Sequence, residues 1–99
     1  MTNVAALGAV KAIRALDLDM PADVSLVGFD DFDWMTVLRP YVTAVAQPIE
    51  TMADAAWDCL ARRLAGEAVA EPVKLRFPCT LRARESTGSC HEKVEVAAA

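Results

Sequence analysis

The sequence is poor in the residue types on which catalytic and metal sites depend. Its 99 residues include one histidine, His91, and three cysteines, and no two of the cysteines form a CxxC pair. Cys90 and His91 offer two adjacent metal ligands, but no second pair matches them, so neither a zinc knuckle nor a redox motif is supported. The sequence also lacks a recognisable Ser-His-Asp set and a phosphate-binding loop, and it shows no paired catalytic acid. We therefore expect no enzyme, no cofactor and no metal site.

Excess basic charge and long apolar runs are also absent. The 10 lysines and arginines are outnumbered by 14 acidic residues, which gives a net charge of −4. This balance argues against nucleic-acid binding by the chain alone, because phosphates are bound by clustered Lys and Arg. The small cluster of Arg76, Arg82 and Arg84 is predicted to be an exposed strand face. Without a signal peptide or a bilayer-length apolar run, and with thiols that fit a reducing compartment, we expect a cytoplasmic protein with no membrane partner.

The most informative feature that is present is the run VSLVGFDD at residues 24–31. An apolar strand leads through Gly28 and an aromatic residue into two adjacent carboxylates, Asp30 and Asp31. In an open parallel sheet, ligands bind at the carboxyl ends of the strands. Two ionised groups there need hydroxyls, a metal or cations as partners. Asp30 is therefore a predicted ligand anchor, and the alternative is an Asp that caps the next turn through its own backbone.

The order of predicted elements indicates an incomplete α/β domain. In chain order, the pattern predicts a helix at 5–16, a strand at 24–29, an irregular segment at 31–41, a strand at 42–46, a helix at 50–65 and a strand at 73–84 that Pro78 interrupts. Gly66 is predicted to end the second helix. Three strands and two helices cannot cover both faces of a parallel sheet. The second helix also carries an apolar stripe that needs a partner surface, formed by Met52, Ala56, Leu60 and Leu64.

Several short motifs in a fixed order resemble the C-terminal part of LacI/GalR-type transcription regulators. They are ALGA at residues 6–9, MPADVSLVGFDD at 20–31, PYVTAV at 40–45, QP at 47–48, Gly66, and LRAREST at 81–87, which is similar to the family ending L-x-x-R-x-S-T. The resemblance assigns residues 1–87 to the C-terminal part of a sugar- or effector-binding domain. We expect residues 88–99 to form a disordered tail.

The resemblance implies a partial periplasmic-binding-protein-like fold of the α/β class, with a Rossmann-like parallel sheet. In the family, two such lobes are joined by crossing strands and hold a small effector in their cleft. An N-terminal helix-turn-helix binds operator DNA, and the effector changes the lobe arrangement and hence DNA affinity. The headpiece, the core of the first lobe and the opening strands of the second have no counterpart here, and Thr2-Asn3 stands where Asn-Asp is usual. We expect a fragment of a homodimeric regulator that reaches operator DNA only through a missing N-terminal domain.

The resemblance also implies roles for individual residues. The first Asp of the family's G-[FY]-D-D motif usually hydrogen-bonds hydroxyls of a sugar or nucleoside effector, and this role falls on Asp30. The residue after the Q-P pair, Ile49, can line the same cleft. Trp34, close to the acidic pair, either stacks on a sugar face or covers the loop, and packing is the stronger expectation.

Three further residues are expected to support the site. Asp31 is predicted to cap the following turn, and Gln47 to orient the crossover strand through its amide. Arg84 is predicted to brace the final strand by pairing with an acid that the sequence does not name.

The predicted function is effector sensing within a transcriptional regulator. The alternative is a truncated stand-alone module that associates with itself, or with a full-length regulator, through the second helix. A third interpretation is a phosphoacceptor or Mg²⁺-dependent enzyme built on Asp30, Asp31 and Asp33. It needs a further acid and a basic group at other strand ends, which the remaining strands do not supply.

Overall fold

A computed structural model of the chain describes residues 3–67 and 71–89. Its elements are helix α1 (Asn3–Ala15), strand β1 (Val27–Phe29), a 3-10 helix (Asp33–Thr36), strand β2 (Thr43–Ala46), helix α2 (Ile49–Leu64) and strand β3 (Thr80–Arg82). The strands form one sheet in the order β1-β2-β3. Strands β1 and β2 are parallel, and Gly28 lies opposite Ala44. The predicted α/β class with a parallel sheet is confirmed.

The described residues divide into two compact units. The first comprises residues 3–46 and 81–89, and the second comprises residues 47–67 and 71–80. The first unit holds a cluster of buried apolar side chains, Ala6, Val10, Leu26, Met35, Val42 and Ala44. This cluster joins the inner face of α1 to the strands and to the 3-10 helix, and it is the core on which the end of β1 rests.

Gly28 leaves the space that Met35 fills. A Cβ atom at position 28 would lie 2.6 Å from Met35 Cε, closer than real contacts of this kind come. Met35 is fully buried, and its carbonyl accepts a 2.9 Å hydrogen bond from the Val42 N–H. The glycine of the G-F-D-D run therefore has a packing reason, because the 3-10 helix lays its methionine against the backbone of β1.

Helix α2 ends where the sequence predicts. Gly66 has a φ of 88°, and its N–H donates to the Arg63 carbonyl at 3.1 Å. The N–H of Glu67 donates to the Arg62 carbonyl at 3.1 Å, which completes a Schellman motif. Helix α1 ends in the same pattern with Asp17 at the equivalent position, at a φ of 53°. The prediction of Gly66 as the residue that ends the second helix is confirmed.

Strand β1 is shorter than predicted. The sequence predicts a strand over residues 24–29, whereas the structure limits β1 to Val27–Phe29. Leu26 donates its N–H to the Ser86 carbonyl at 3.0 Å, and its own carbonyl accepts from the Ser86 hydroxyl at 2.6 Å. Both backbone groups of Leu26 are thus satisfied by the C-terminal segment instead of by β2.

The last predicted strand is also shorter. Only Thr80–Arg82 of the predicted 73–84 is a strand. Pro78 has no N–H to donate to a ladder, which explains why pairing begins after it. The part of the predicted tail beyond residue 89, and the Cys90-His91 pair with it, lie outside the described residues. Gly88, which the prediction places in the tail, donates its N–H to Ser25 Oγ at 3.3 Å.

Helix α2 has no buried residue along its 16 positions. Of its apolar stripe, Met52 is 37% exposed, Leu60 is 49% exposed and Leu64 is 75% exposed. Trp57, next to the stripe, is 65% exposed. Met52 and Ala56 line an open pocket with Val73, Leu75 and Phe77, but this contact leaves most of the stripe exposed among the described residues. None of the described helices combines the length and the apolar character that crossing a bilayer requires.

Candidate functional site

Asp30 lies where the chain leaves β1. Its φ of 75° is in the left-handed region, which Asp adopts more readily than most residues because its short polar side chain bonds locally. Its N–H donates to the Val45 carbonyl at 2.8 Å and so extends the pairing with β2 by one residue. Asp30 is half-buried. It therefore occupies the carboxyl end of a parallel strand, which is the kind of position at which α/β proteins bind ligands.

Asp31, the next residue, pairs with Arg84. Asp31 Oδ2 accepts a 2.7 Å hydrogen bond from Arg84 Nη2, and both side chains are largely shielded, at 28% and 16% exposure. The sequence predicts that Asp31 caps the following turn, but the residue at the N-cap of the 3-10 helix is Phe32, which makes no side-chain cap bond. That prediction is wrong because the guanidinium, a charged donor, is the stronger partner.

The ion pair changes the acidity of both groups. The pKa of Asp31 is lowered from its ordinary value of 3.8, mainly by the hydrogen bond from Arg84 and further by the positive charges of Arg84 and Arg82, against an opposing effect of burial. The same hydrogen bond raises the pKa of Arg84. The pair is therefore charged on both sides at neutral pH.

Arg84 also binds β2 directly. Its Nη1 donates to the Val42 carbonyl at 2.8 Å, and its backbone N–H donates to Thr43 Oγ1 at 2.8 Å. The prediction that Arg84 shares an exposed strand face with Arg76 and Arg82 is wrong for Arg84, although the other two are exposed. One guanidinium instead joins the loop after β1 to the start of β2.

Sequence reasoning missed Ser86, which is fully buried. Its Oγ accepts from the Thr43 N–H at 2.8 Å and donates to the Leu26 carbonyl at 2.6 Å. Thr87 Oγ1 lies 2.8 Å from Thr43 Oγ1. The signal that points to it is the L-x-x-R-x-S-T ending of the sequence. Each polar position of that ending, Arg84, Ser86 and Thr87, makes a side-chain hydrogen bond to residues of the first unit.

Trp34 is half-buried on the 3-10 helix and packs against the core. Its indole N–H donates to Asn3 Oδ1 at 2.6 Å, which ties the 3-10 helix to the first turn of α1. Asn3 belongs to the Thr2-Asn3 pair that departs from the family pattern, and Thr2 itself lies outside the described residues. The indole nitrogen thus has a partner within the chain, and stacking of the ring on a ligand stays a prediction.

Gln47 and Ile49 belong to the second unit. Gln47 is half-buried, and its carbonyl accepts from the Ile49 N–H at 2.9 Å. Ile49 begins α2 with 63% of its surface exposed. The roles predicted for these two residues beside an effector stay predictions.

Metal binding finds no support in residues 3–67 and 71–89. No three His, Cys, Asp or Glu side chains come together there as a possible set of ligands. The acidic run that suggests Mg²⁺ has one member, Asp31, neutralised by Arg84. What the site offers is a carboxylate at a strand end, beside a loop that is braced by an ion pair.

Comparison with known proteins identifies the family. Residues 1–87 match the model of the periplasmic binding protein-like domain. The chain belongs to that family. A curated protein of Rhizobium rhizogenes named "Probable opine utilization operon repressor" is 41% identical over 82% of this chain. The crystal structure of a LacI family transcriptional regulator from Mycobacterium smegmatis is 30% identical over 88% of the chain, with a TM-score of 0.77.

A third relative was solved with a sugar. The LacI family transcriptional regulator from Enterococcus faecium, with bound ribose, is 25% identical over 88% of the chain, with a TM-score of 0.76. These relatives are transcriptional regulators. They confirm the LacI-type resemblance and the partial periplasmic-binding-protein-like fold.

The matching segment is a limited part of each relative. The chain spans 41% of the Rhizobium protein, 31% of the Mycobacterium structure and 32% of the Enterococcus structure.

Proposed function

We propose that the chain forms one wall of the effector cleft of a LacI-type transcriptional regulator, with Asp30 as the polar anchor for the hydroxyls of a sugar or nucleoside. The observation that carries the proposal is the position of Asp30 at the carboxyl end of β1, with its N–H held by the Val45 carbonyl. Bound ribose in the Enterococcus faecium relative supports a polyol as the ligand. In this proposal, Trp34 adds apolar surface, and Ile49 and Gln47 keep the roles that the family resemblance implies for them.

The chemistry of a carboxylate suits this ligand class. An ionised Asp has two acceptor oxygens and no donor, so neighbouring hydroxyls of one polyol can both donate to it. Such charge-assisted hydrogen bonds contribute about 1.5–3 kcal/mol each. An apolar ring or aliphatic side chain beside the carboxylate excludes water and favours the C–H face of a sugar.

The regulatory output belongs to the intact protein. Effector binding would stabilise one arrangement of the effector-binding domain and change operator affinity, and the coupling is reciprocal. We place operator contact in an N-terminal domain outside this chain, because the chain itself is acidic. The regulator would act as a homodimer in the cytoplasm.

Replacing Asp30 by Asn tests the anchor. In a regulator that carries this segment in full, we expect D30N to raise the Kd for its sugar effector at least about tenfold, because the amide loses one charged acceptor. Isothermal titration calorimetry measures the Kd, with ribose as the first probe. D33N, the same change three residues later at an exposed position of the 3-10 helix, is the matched control and should bind as the wild type does. Equal affinity of D30N and D33N would refute the anchor role.

A second candidate is an interaction module that self-associates through α2. The exposed apolar stripe of α2, with no buried residue on the whole helix, favours it. Light scattering with circular dichroism on the 99-residue chain would decide. A folded dimer that L60K dissociates, while L16K at the exposed residue just after α1 leaves it intact, would support the module. A folded monomer would exclude it.

A further inference from the structure

The geometry of the C-terminal segment, residues 84–87, assigns a positioning role to two residues beyond Asp30. We propose that the Asp31–Arg84 ion pair holds the loop after β1 in the conformation that presents Asp30 to a ligand. The orientation of the anchor is then set by the C-terminal segment. The proposal rests on the role proposed for Asp30 above.

Asp30 needs support on both sides because its backbone is left-handed. On the side of β1, its N–H is held by the Val45 carbonyl at 2.8 Å. On the other side, the following residue is held through its carboxylate by Arg84 Nη2 at 2.7 Å. A non-glycine residue in this region of φ carries a backbone cost that its surroundings must offset, although the cost is smaller for Asp than for most residues. The two bonds enclose residue 30 and help to offset that cost.

Arg84 is held in place by several hydrogen bonds of its own, and it can therefore hold Asp31 in a defined position. Its second guanidinium nitrogen donates to the Val42 carbonyl, and its backbone N–H donates to Thr43 Oγ1, each at 2.8 Å. The following two N–H groups, of Glu85 and Ser86, both donate to the Tyr41 carbonyl at 3.0 Å. These bonds hold the guanidinium at the start of β2, where it donates to the Val42 carbonyl and to the Asp31 carboxylate at the same time. A lysine ammonium on a flexible stem does not reproduce the planar fork of a guanidinium.

The same segment supplies a matched control. Arg39 pairs with Glu85, the residue next to Arg84, and the Arg39 side chain also lies over the Tyr41 ring at 4.3 Å. This pair is far more exposed, at 70% and 39%, and neither partner bonds to residues 30–32, which form the loop directly after β1. Removing it disturbs one ion pair of the C-terminal segment while leaving Asp31 and Arg84 in place.

The experiment is amide hydrogen exchange followed by NMR on the full 99-residue chain. The variants are D31N, R84K and R84A, with R39A as control. The measured quantity is the protection of the Asp30 amide relative to that of Val10 in the buried face of α1. We expect this protection ratio to fall at least about tenfold in D31N, R84K and R84A and to stay unchanged in R39A. A merely structural ion pair would lower both amides together, so an unchanged ratio in R84A and D31N would overturn the proposal.

A ribose titration of the same samples separates this proposal from the proposed function. If the wild type binds ribose, R84K should raise the apparent Kd for ribose as the fraction of molecules that hold Asp30 in this conformation falls, while R39A should not. Equal ribose affinity of R84K and the wild type would also overturn positioning. If the wild-type chain does not respond to ribose, the exchange ratio alone decides whether Arg84 positions Asp30, and the ligand is decided by the D30N titration in the longer regulator.

Discussion

At the scale of single residues, Ser86 connects three stretches of the first unit. Its hydroxyl accepts from the Thr43 N–H and donates to the Leu26 carbonyl. Its backbone N–H donates to the Tyr41 carbonyl, and its carbonyl accepts from the Leu26 N–H, each at 3.0 Å. A serine suits this position because one small hydroxyl both donates and accepts where the residue is fully buried.

We therefore expect S86A to lower the free energy of unfolding by about 1–3 kcal/mol. The methyl group leaves the Thr43 N–H and the Leu26 carbonyl without their buried partner, and water does not reach a fully buried site. Urea titration followed by circular dichroism measures the change. S25A removes an exposed serine hydroxyl and should stay within about 0.5 kcal/mol of the wild type. Losses of the same size in both variants would contradict the assignment.

The Asp31–Arg84 pair predicts a pH dependence of stability. The pKa of Asp31 is lowered in the folded chain by the hydrogen bond from Arg84, so the unfolded state binds the proton more readily. The stabilisation is therefore complete above the unfolded-state pKa and is lost as the pH falls through the folded-state pKa. We expect D31N to be less stable than the wild type by about 1 kcal/mol at neutral pH. The gap should stay constant down to about pH 5 and close below about pH 4.

Urea titrations across this pH range provide the measurement. R84A removes the other partner together with the hydrogen bond to the Val42 carbonyl. It should therefore show at least the same loss at neutral pH, and a gap that narrows in acid without closing. A gap that persists in full at about pH 3 would show that the ion pair is not its source.

At the scale of elements, the two helices end by the same hydrogen-bond pattern with different residues. In α1, the Leu18 N–H donates to the Ile13 carbonyl and the Asp17 N–H to the Arg14 carbonyl, each at 3.1 Å. In α2, Gly66 takes the position that Asp17 has in α1. Both positions have a positive φ, which a glycine adopts without the steric cost of a Cβ.

Replacement of Gly8 and of Gly66 by Ala should change the free energy of unfolding in opposite directions, although both positions have room for a Cβ. A Cβ at Gly66 or at Gly8 would meet nothing within 4 Å, but only Gly66 has a positive φ, of 88°. We expect G66A to destabilise α2 by about 1 kcal/mol through backbone strain. G8A, within α1, should stabilise the chain by about 0.5–1 kcal/mol because Ala has the higher helix propensity. Thermal and urea unfolding measure both changes, and shifts of the same sign would contradict the argument.

At the scale of the whole molecule, burial is unequal between the two units. The first unit holds the described buried core, whereas no residue of α2 is buried in the second. Local propensity alone stabilises a 16-residue helix only marginally, so its apolar stripe requires a surface to pack on. Both functional proposals provide such a surface, either from the remainder of a regulator or from a second copy of the chain.

The sequence by itself determined the features that depend on near neighbours. Periodicity and turn residues predicted the helices, the parallel strands and the end of α2 at Gly66. The run of an apolar strand into Asp30 located the strand end, and the order of short motifs identified the family. These features follow from backbone sterics, missing donors and side-chain periodicity, all of which act over a few residues.

Only the tertiary structure decided which distant polar groups meet. Arg84 donates a hydrogen bond to Asp31, which is 53 residues away in the sequence, and Ser86 donates one to Leu26, which is 60 residues away. From the sequence, Arg84 is predicted to pair with an acid that cannot be identified, and no role is predicted for Ser86. The sequence also predicts that β1 starts three residues earlier than it does. Residues 24–26 have the apolar character of a strand, but both backbone groups of Leu26 bond to Ser86 instead of to β2. Hydrogen-bond partners of this kind depend on which chain segments the core brings side by side, and no local pattern encodes that pairing.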